Sequence, residues 1–270
     1  MSVCMKRILF STFLLCFFSV LAMGQTFQPK QYNTEDAGIV FDREFSVNFK
    51  LHTNGPSFPL ALGANFGKLK TYYRTTYLFF EIGELRHQKE FRQSVNNFSI
   101  ISSRSPRAFV FGKQNNFYVL RGGWGVKRYL TEKANTRGVA VGYSYQFGPA
   151  LGFLKPYYLE LFRRVDNLNM IVSEKYSAAN ADRFLDRNYI YGASPFTRGF
   201  GELGLRPGLH GQLSLHLDWG AFDEVVKAVE VGIMGEFFFT DVPIMVENEN
   251  VKNSPIFLNL FLTLQLGKRW

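Results

Sequence analysis

The segment 256–270 constrains this chain more than any other part of it. Ile256, Leu258, Leu260, Leu262, Leu264 and Leu266 are all aliphatic, and Phe257, Asn259, Phe261, Thr263, Gln265 and Gly267 lie between them. A period of two marks a strand with two unlike faces. An unbroken aliphatic face opposite a partly polar one fits a strand with lipid on one side and a polar lumen on the other.

The same alternation recurs along the chain. Phe45, Val47, Phe49 and Leu51 alternate with Glu44, Ser46, Asn48, Lys50 and His52. Leu62, Ala64 and Phe66 oppose Ala61, Asn65 and Gly67, and Thr76, Leu78, Phe80 and Ile82 oppose Tyr77, Phe79 and Glu81. Tyr118, Leu120, Trp124 and Val126 oppose Val119, Arg121 and Lys127, and Val141, Tyr143, Tyr145 and Phe147 oppose Gly142, Ser144 and Gln146. Leu213, Leu215, Leu217 and Trp219 oppose Gln212, Ser214, His216 and Asp218. Val229, Val231, Ile233 and Phe237 oppose Glu230, Met234 and Glu236. Eight segments predict an all-β fold: a transmembrane, antiparallel, up-and-down β-barrel of eight strands, with ten strands as the alternative.

The connections alternate in length. Short turns fall near 68–71, 132–137 and 220–223, and long ones at about 85–114, 161–201 and 241–254. Outer-membrane barrels show short periplasmic turns and long outer loops. A soluble barrel has no reason to segregate them.

The first 24 residues read as an export signal. Lys6 and Arg7 precede the apolar run 8–21, and Ala22 and Gly24 supply the small residues of a cleavage site. Residues 25–36 are then a periplasmic segment, and 37–270 the barrel. Both cysteines, Cys4 and Cys16, leave with the signal. The mature chain is thus expected to use no disulfide and no thiolate ligand. The formal net charge of +9 falls by two, to +7, when Lys6 and Arg7 leave. Trp124, Trp219 and Trp270 are expected at the periplasmic boundary of the bilayer, where amphipathic rings sit.

The final stretch LNLFLTLQLGKRW resembles the sorting signal of Gram-negative outer-membrane proteins. Gln265, Gly267 and Trp270 match it, whereas the usual final apolar residue is missing. The resemblance implies that the barrel-assembly machinery reads this end. The chain is also similar to a family of poorly characterised outer-membrane barrels of the Bacteroidetes. The segments carrying that likeness are YYRTTYLFFEIGE (72–84), FGKQNNFYVLRGGWG (111–125), YIYGASPFTRG (189–199) and the final GKRW. It implies fold and location, and no activity.

Glu44, Lys50, Glu81, Arg121, Lys127, Arg206, Asp218, Glu230 and Glu236 are expected to point inward, four cations against five anions. An eight-stranded barrel is just wide enough for its own side chains. Buried charges must be paired, so a filled, ion-paired lumen is expected rather than a pore. Ser214, His216 and Asp218 share one strand face and have the residue types of a catalytic triad. A polar lumen row yields such a string without catalysis, and no enzyme is expected. His52, His87 and His210 show no ligand spacing, and no cofactor or metal is expected.

Function is therefore expected in the loops, as a structural or interaction component of the envelope, either monomeric or as a subunit of a larger outer-membrane complex; a narrow transporter or lipid-modifying enzyme is the alternative. Loop 85–114 carries Arg86, Lys89, Arg92, Arg104, Arg107 and Lys113 against Glu90, net +5. It suits the phosphates of lipopolysaccharide or another anionic partner, and other outer-membrane proteins are further candidates. Export makes nucleic acid a poor partner. Loop 161–201 combines a short helical stretch with an aromatic, glycine-rich second half, suited either to a contact surface or to a lid over the barrel mouth.

Overall fold

The computed structural model describes residues 41–55, 61–94, 105–133, 138–165 and 168–270. The export signal and the segment 25–36 lie outside these residues. Eight strands form the barrel: β1 (Arg43–His52), β2 (Ala61–Thr71), β3 (Arg74–Leu85), β4 (Asn115–Tyr129), β5 (Ala140–Pro156), β6 (Gly204–Asp218), β7 (Val225–Phe238) and β8 (Ile256–Arg269). Each pairs antiparallel with the next, and β8 returns to β1 to close the ring. The closing seam runs in register from Glu44 opposite Arg269 to His52 opposite Phe261. Eight strands form, and not ten.

The alternation places the faces as expected. On β8, Leu258 is 71% exposed, and Leu260, Leu262, Leu264 and Leu266 are exposed with it, while Phe257, Asn259, Phe261, Thr263 and Gln265 are buried. Leu62, Phe66, Leu78, Phe80, Ile82, Leu213, Val231 and Ile233 continue the outward belt. So large a continuous apolar surface is stable against hydrocarbon, not water. Trp124, Trp219 and Trp270 also face outward, toward the end where the turns are short.

Inside, the barrel is filled in layers. Nearest the short turns, Lys127 Nζ donates to Glu44 at 2.8 Å, and Arg269 bridges Glu44 and Asp218, each at 2.8 Å. Tyr129 Oη donates to Asp218 at 2.6 Å, and His216 Nδ1 meets Glu230 at 2.9 Å. A second layer follows. Glu81 accepts from Lys50 and, at 2.7 Å, from Arg121, which also donates to Glu236. Toward the long loops the filling turns apolar. Phe117, Phe238 and Phe257 meet ring to ring, and Val242, Ile244, Met245 and Val251 fold over them from the β7–β8 loop.

One expectation about the lumen is corrected. Arg206 does not point into it. β6 pairs with β5 from Gly204 but with β7 only from Gly208, so Arg206 stands above the closed ring. Its guanidinium donates to the carbonyl of Asp241 at 3.1 Å. The fourth inward cation is Arg269, which shares the inward phase of Gln265 and Gly267. The balance of four cations to five anions survives with that exchange.

Candidate functional site

The long loops build a second, smaller core above the barrel. Strand β5 runs on past the apolar belt to Pro156 and leads into a hairpin, Tyr158–Val165 with Leu168–Lys175. Ile190–Ala193 adds a third strand to it. The short pair Arg92–Gln93 and Phe109–Val110 comes from the other long loop. Phe109, Leu159, Leu161, Phe184, Ile190 and Ala193 pack between them. Each large apolar side chain so buried stabilises by about 1.5–3 kcal/mol, enough to hold these loops in one arrangement. The helical stretch expected in loop 161–201 is present as turns over Ala178–Asn180 and Ala181–Phe184, with Phe184 buried in this core. The strands of the hairpin were not foreseen, because their alternation is too short to stand out.

A cleft of about 500 Å3 opens between the two loop regions and the ends of β3, β4 and β5. Arg86, Arg92, Arg107, Lys113, Lys155 and Arg198 line it, with Glu84 and Glu90 as its carboxylates. Tyr118, Tyr157, Tyr158 and Phe196 supply its aromatic walls. Arg86 pairs with Glu84 at 3.3 Å, and Lys113 with Glu90 at 2.7 Å. Among the described residues, Arg92, Arg107, Lys155 and Arg198 have no carboxylate at ion-pair distance.

Lys155 is the buried member of that set, at 2% exposure. Its ammonium donates to the carbonyl of Phe196 and lies 3.6 Å from the Phe196 ring centroid and 4.4 Å from that of Phe200. Cations seated on aromatic faces are attracted by the ring quadrupole, yet no full counter-charge is present. Burial pulls the ammonium below the usual lysine range; Glu84 works against that shift and Lys113 adds to it. Arg107 is held through its backbone, whose carbonyl accepts from Ala193 at 3.1 Å. A Cβ on Gly192 would lie 2.8 Å from that carbonyl, so only glycine allows this approach.

No protein family and no curated protein matches the chain. Among solved structures the chain is similar to Ail, the attachment invasion locus protein of Yersinia pestis, in complex with the heparin analogue sucrose octasulfate. Identity is 8%, with 85% of this chain and 97% of that chain covered and a TM-score of 0.33. It is likewise similar to Neisserial surface protein A, at 7% identity, 85% and 95% coverage and a TM-score of 0.32. At such values the likeness carries no argument, and the barrel rests on the strand pairing itself.

The cations expected of loop 85–114 do not form one patch. Arg86, Arg92, Arg107 and Lys113 line the cleft, whereas Lys89 turns away and donates to the carbonyl of Asn250. Arg104 lies outside the described residues. Lys155 and Arg198, from the other side, were not anticipated; Lys155 has the outward phase, opposite to Ala150 and Leu154, so the alternation of β5 gives no sign that it is buried.

Of the sorting-signal residues, Gln265 is buried in the lumen, Gly267 faces the seam and Trp270 stands outward. Ser214, His216 and Asp218 share the lumen face but not a relay. The Ser214 hydroxyl lies 2.6 Å from Ser144 Oγ, and His216 turns its Nδ1 to Glu230.

Proposed function

We propose that this protein is an outer-membrane barrel whose lumen is closed and whose function is interaction at its outer face. The observation that carries this reading is the contrast between the two ends of the molecule's charge. Inside, buried charges are matched within layered ion pairs. The cleft is lined by four cations without carboxylate partners, three on loops held by their own core and Lys155 at the end of β5. Unmatched charge on a rigid scaffold is what a binding surface requires.

The apolar belt, the outward tryptophans and the segregated loop lengths support an outer-membrane location, with the long loops outside. The likeness of several segments to Bacteroidetes barrels supports the same placement. The lumen row supports a non-enzymatic role, since Ser214 is bonded to Ser144 inside a filled barrel. An anionic partner in the outer leaflet, such as lipopolysaccharide phosphate, fits the cleft's charge. Recognition of the end of β8 by the barrel-assembly machinery belongs to the same reading.

Membrane fractionation with a heat-modifiability gel tests it. The protein is expected in the outer-membrane fraction and to migrate faster unheated than boiled. Recovery as a heat-insensitive periplasmic protein overturns the reading.

A further inference from the structure

We propose that the loop cleft is a binding site for a saccharide bearing more than one phosphate or sulfate, with Lys155 as its anchoring cation. This rests on the reading of the protein as an outer-membrane interaction barrel, and it names the ligand that the barrel's outer face takes.

Three features select that chemistry. The cleft, at about 500 Å3, is within the range of small-ligand sites and too small for a folded partner. Its unmatched charge comes from four separate side chains: Arg92 and Arg107 on one long loop, Arg198 on the other, and Lys155 at the end of β5. Charge spread over four side chains around one cleft suits two or more oxyanions carried on one ring better than a single one. Arginine forks bind the flat faces of phosphate or sulfate through paired N–H groups, and lysine serves as a point charge.

The third feature is aromatic. Phe196 is 61% exposed although it lines the cleft, and Tyr157 and Tyr158 stand beside it. The electron-rich face of such a ring attracts polarised C–H bonds, which the flat side of a sugar ring presents. A bare anion would use the cations and gain nothing from the exposed part of the Phe196 ring.

Lys155 is the anchor because it is committed in advance. Its stem is buried and its ammonium fixed between Phe196 and Phe200. A buried ammonium lacking a counter-ion is costly, and an arriving oxyanion removes that cost. The surface arginines lose mobility on binding; Lys155 has little left to lose.

The test is calorimetric titration of the full chain, refolded into zwitterionic detergent so that no lipopolysaccharide is carried along. The probes are a deacylated, phosphorylated core oligosaccharide, a multiply sulfated disaccharide, maltose and inorganic phosphate. At least one charged saccharide is expected to bind saturably, with maltose and phosphate each at least about tenfold weaker. Tighter binding of the core oligosaccharide assigns the ligand to the protein's own membrane; tighter binding of the sulfated sugar assigns it to an external glycan.

Lys155→Met is expected to weaken binding about tenfold or more, and Arg198→Ala severalfold. Arg198 is a surface residue, so its variant reads the site even where Lys155→Met fails to fold. Absence of binding by both charged saccharides to heat-modifiable protein overturns the proposal. So does binding unchanged in Arg198→Ala and in folded Lys155→Met, or phosphate binding as tightly as either sugar. Failure of the underlying location is read separately, by fractionation.

Discussion

Arg269 Nη2 donates to Asp218 Oδ2 at 2.8 Å, joining β8 to β6 across the base of the lumen. The same guanidinium reaches Glu44 on β1 at 2.8 Å, Tyr129 on β4 at 3.1 Å and the carbonyl of Gly220 at 2.5 Å. One side chain thus ties four strands and a turn at the point where the barrel closes. Arg269→Met leaves Glu44 and Asp218 buried with less counter-charge. Breaking one side of a buried ion pair costs about 3–5 kcal/mol. Urea unfolding in lipid vesicles is expected to show a loss of that order, with the surface control Lys268→Met near the parent.

Gly267 tests the seam itself. A Cβ there would lie 2.0 Å from the carbonyl oxygen of Phe45 on β1, a backbone atom that cannot swing aside. Gly267→Ala is expected to destabilise the refolded barrel by about 1–3 kcal/mol. Refolding in detergent, without assembly machinery, separates this packing effect from any loss of a sorting signal. Parent-like unfolding would show that the seam opens to accommodate the methyl.

Trp270 contributes in two ways. Its backbone extends the seam, accepting from Asp42 and Arg43 at 2.9 Å each and donating to Arg43 at 3.0 Å. Its ring stands outward, 55% exposed. Deleting Trp270 is therefore expected to lower the amount of assembled barrel more than Trp219→Ala does. Trp270→Ala keeps the backbone bonds and isolates the ring. If assembly machinery reads that ring, Trp270→Ala also falls below Trp219→Ala in heat-modifiable protein in the outer membrane; equal amounts would place the signal elsewhere.

Solute flux is expected to be absent. Liposome-swelling assays with small sugars should match protein-free liposomes. Replacing 242–251 by a short glycine-serine linker removes Val242, Ile244, Met245 and Val251 from above the Phe117–Phe238–Phe257 cluster. Both ion-paired layers remain beneath, so this variant too is expected not to conduct.

Charged-saccharide binding should fall with rising pH before ordinary lysines titrate. Burial favours the neutral form of Lys155, so its pKa is lowered and its charge is lost early in an alkaline titration. Glu84 and Lys113 act on it, and Arg86, Arg92, Arg107 and Arg198 line the same cleft. Tyr157 and Tyr158 are pushed up by burial and remain neutral through that range. Lys155→Arg is expected to flatten the profile. A parent curve as flat as that of the variant would remove Lys155 from the site.

The barrel was legible in the sequence because its determinants are local. A period of two assigns each residue to a face, and opposite solvents on the two faces of a strand write themselves directly into composition. That is why Leu258 to Leu266 could be set outward and Gln265 inward from β8 alone, and why the lumen charges were nearly all found. Arg206 failed for a related reason: phase gives a face, but not whether a neighbouring strand is there to make that face a lumen. Which cation meets which carboxylate depends on register around a closed ring, and Arg269 reaches Glu44 and Asp218 only because β8 closes on β1. The cleft lay further still from sequence. Lys155 and Arg107 are distant along the chain, and their loops have no period that reports a shape. The small core around Phe109, Leu161 and Phe184 brings them together, and it does so by shape-complementary burial, which no single segment encodes.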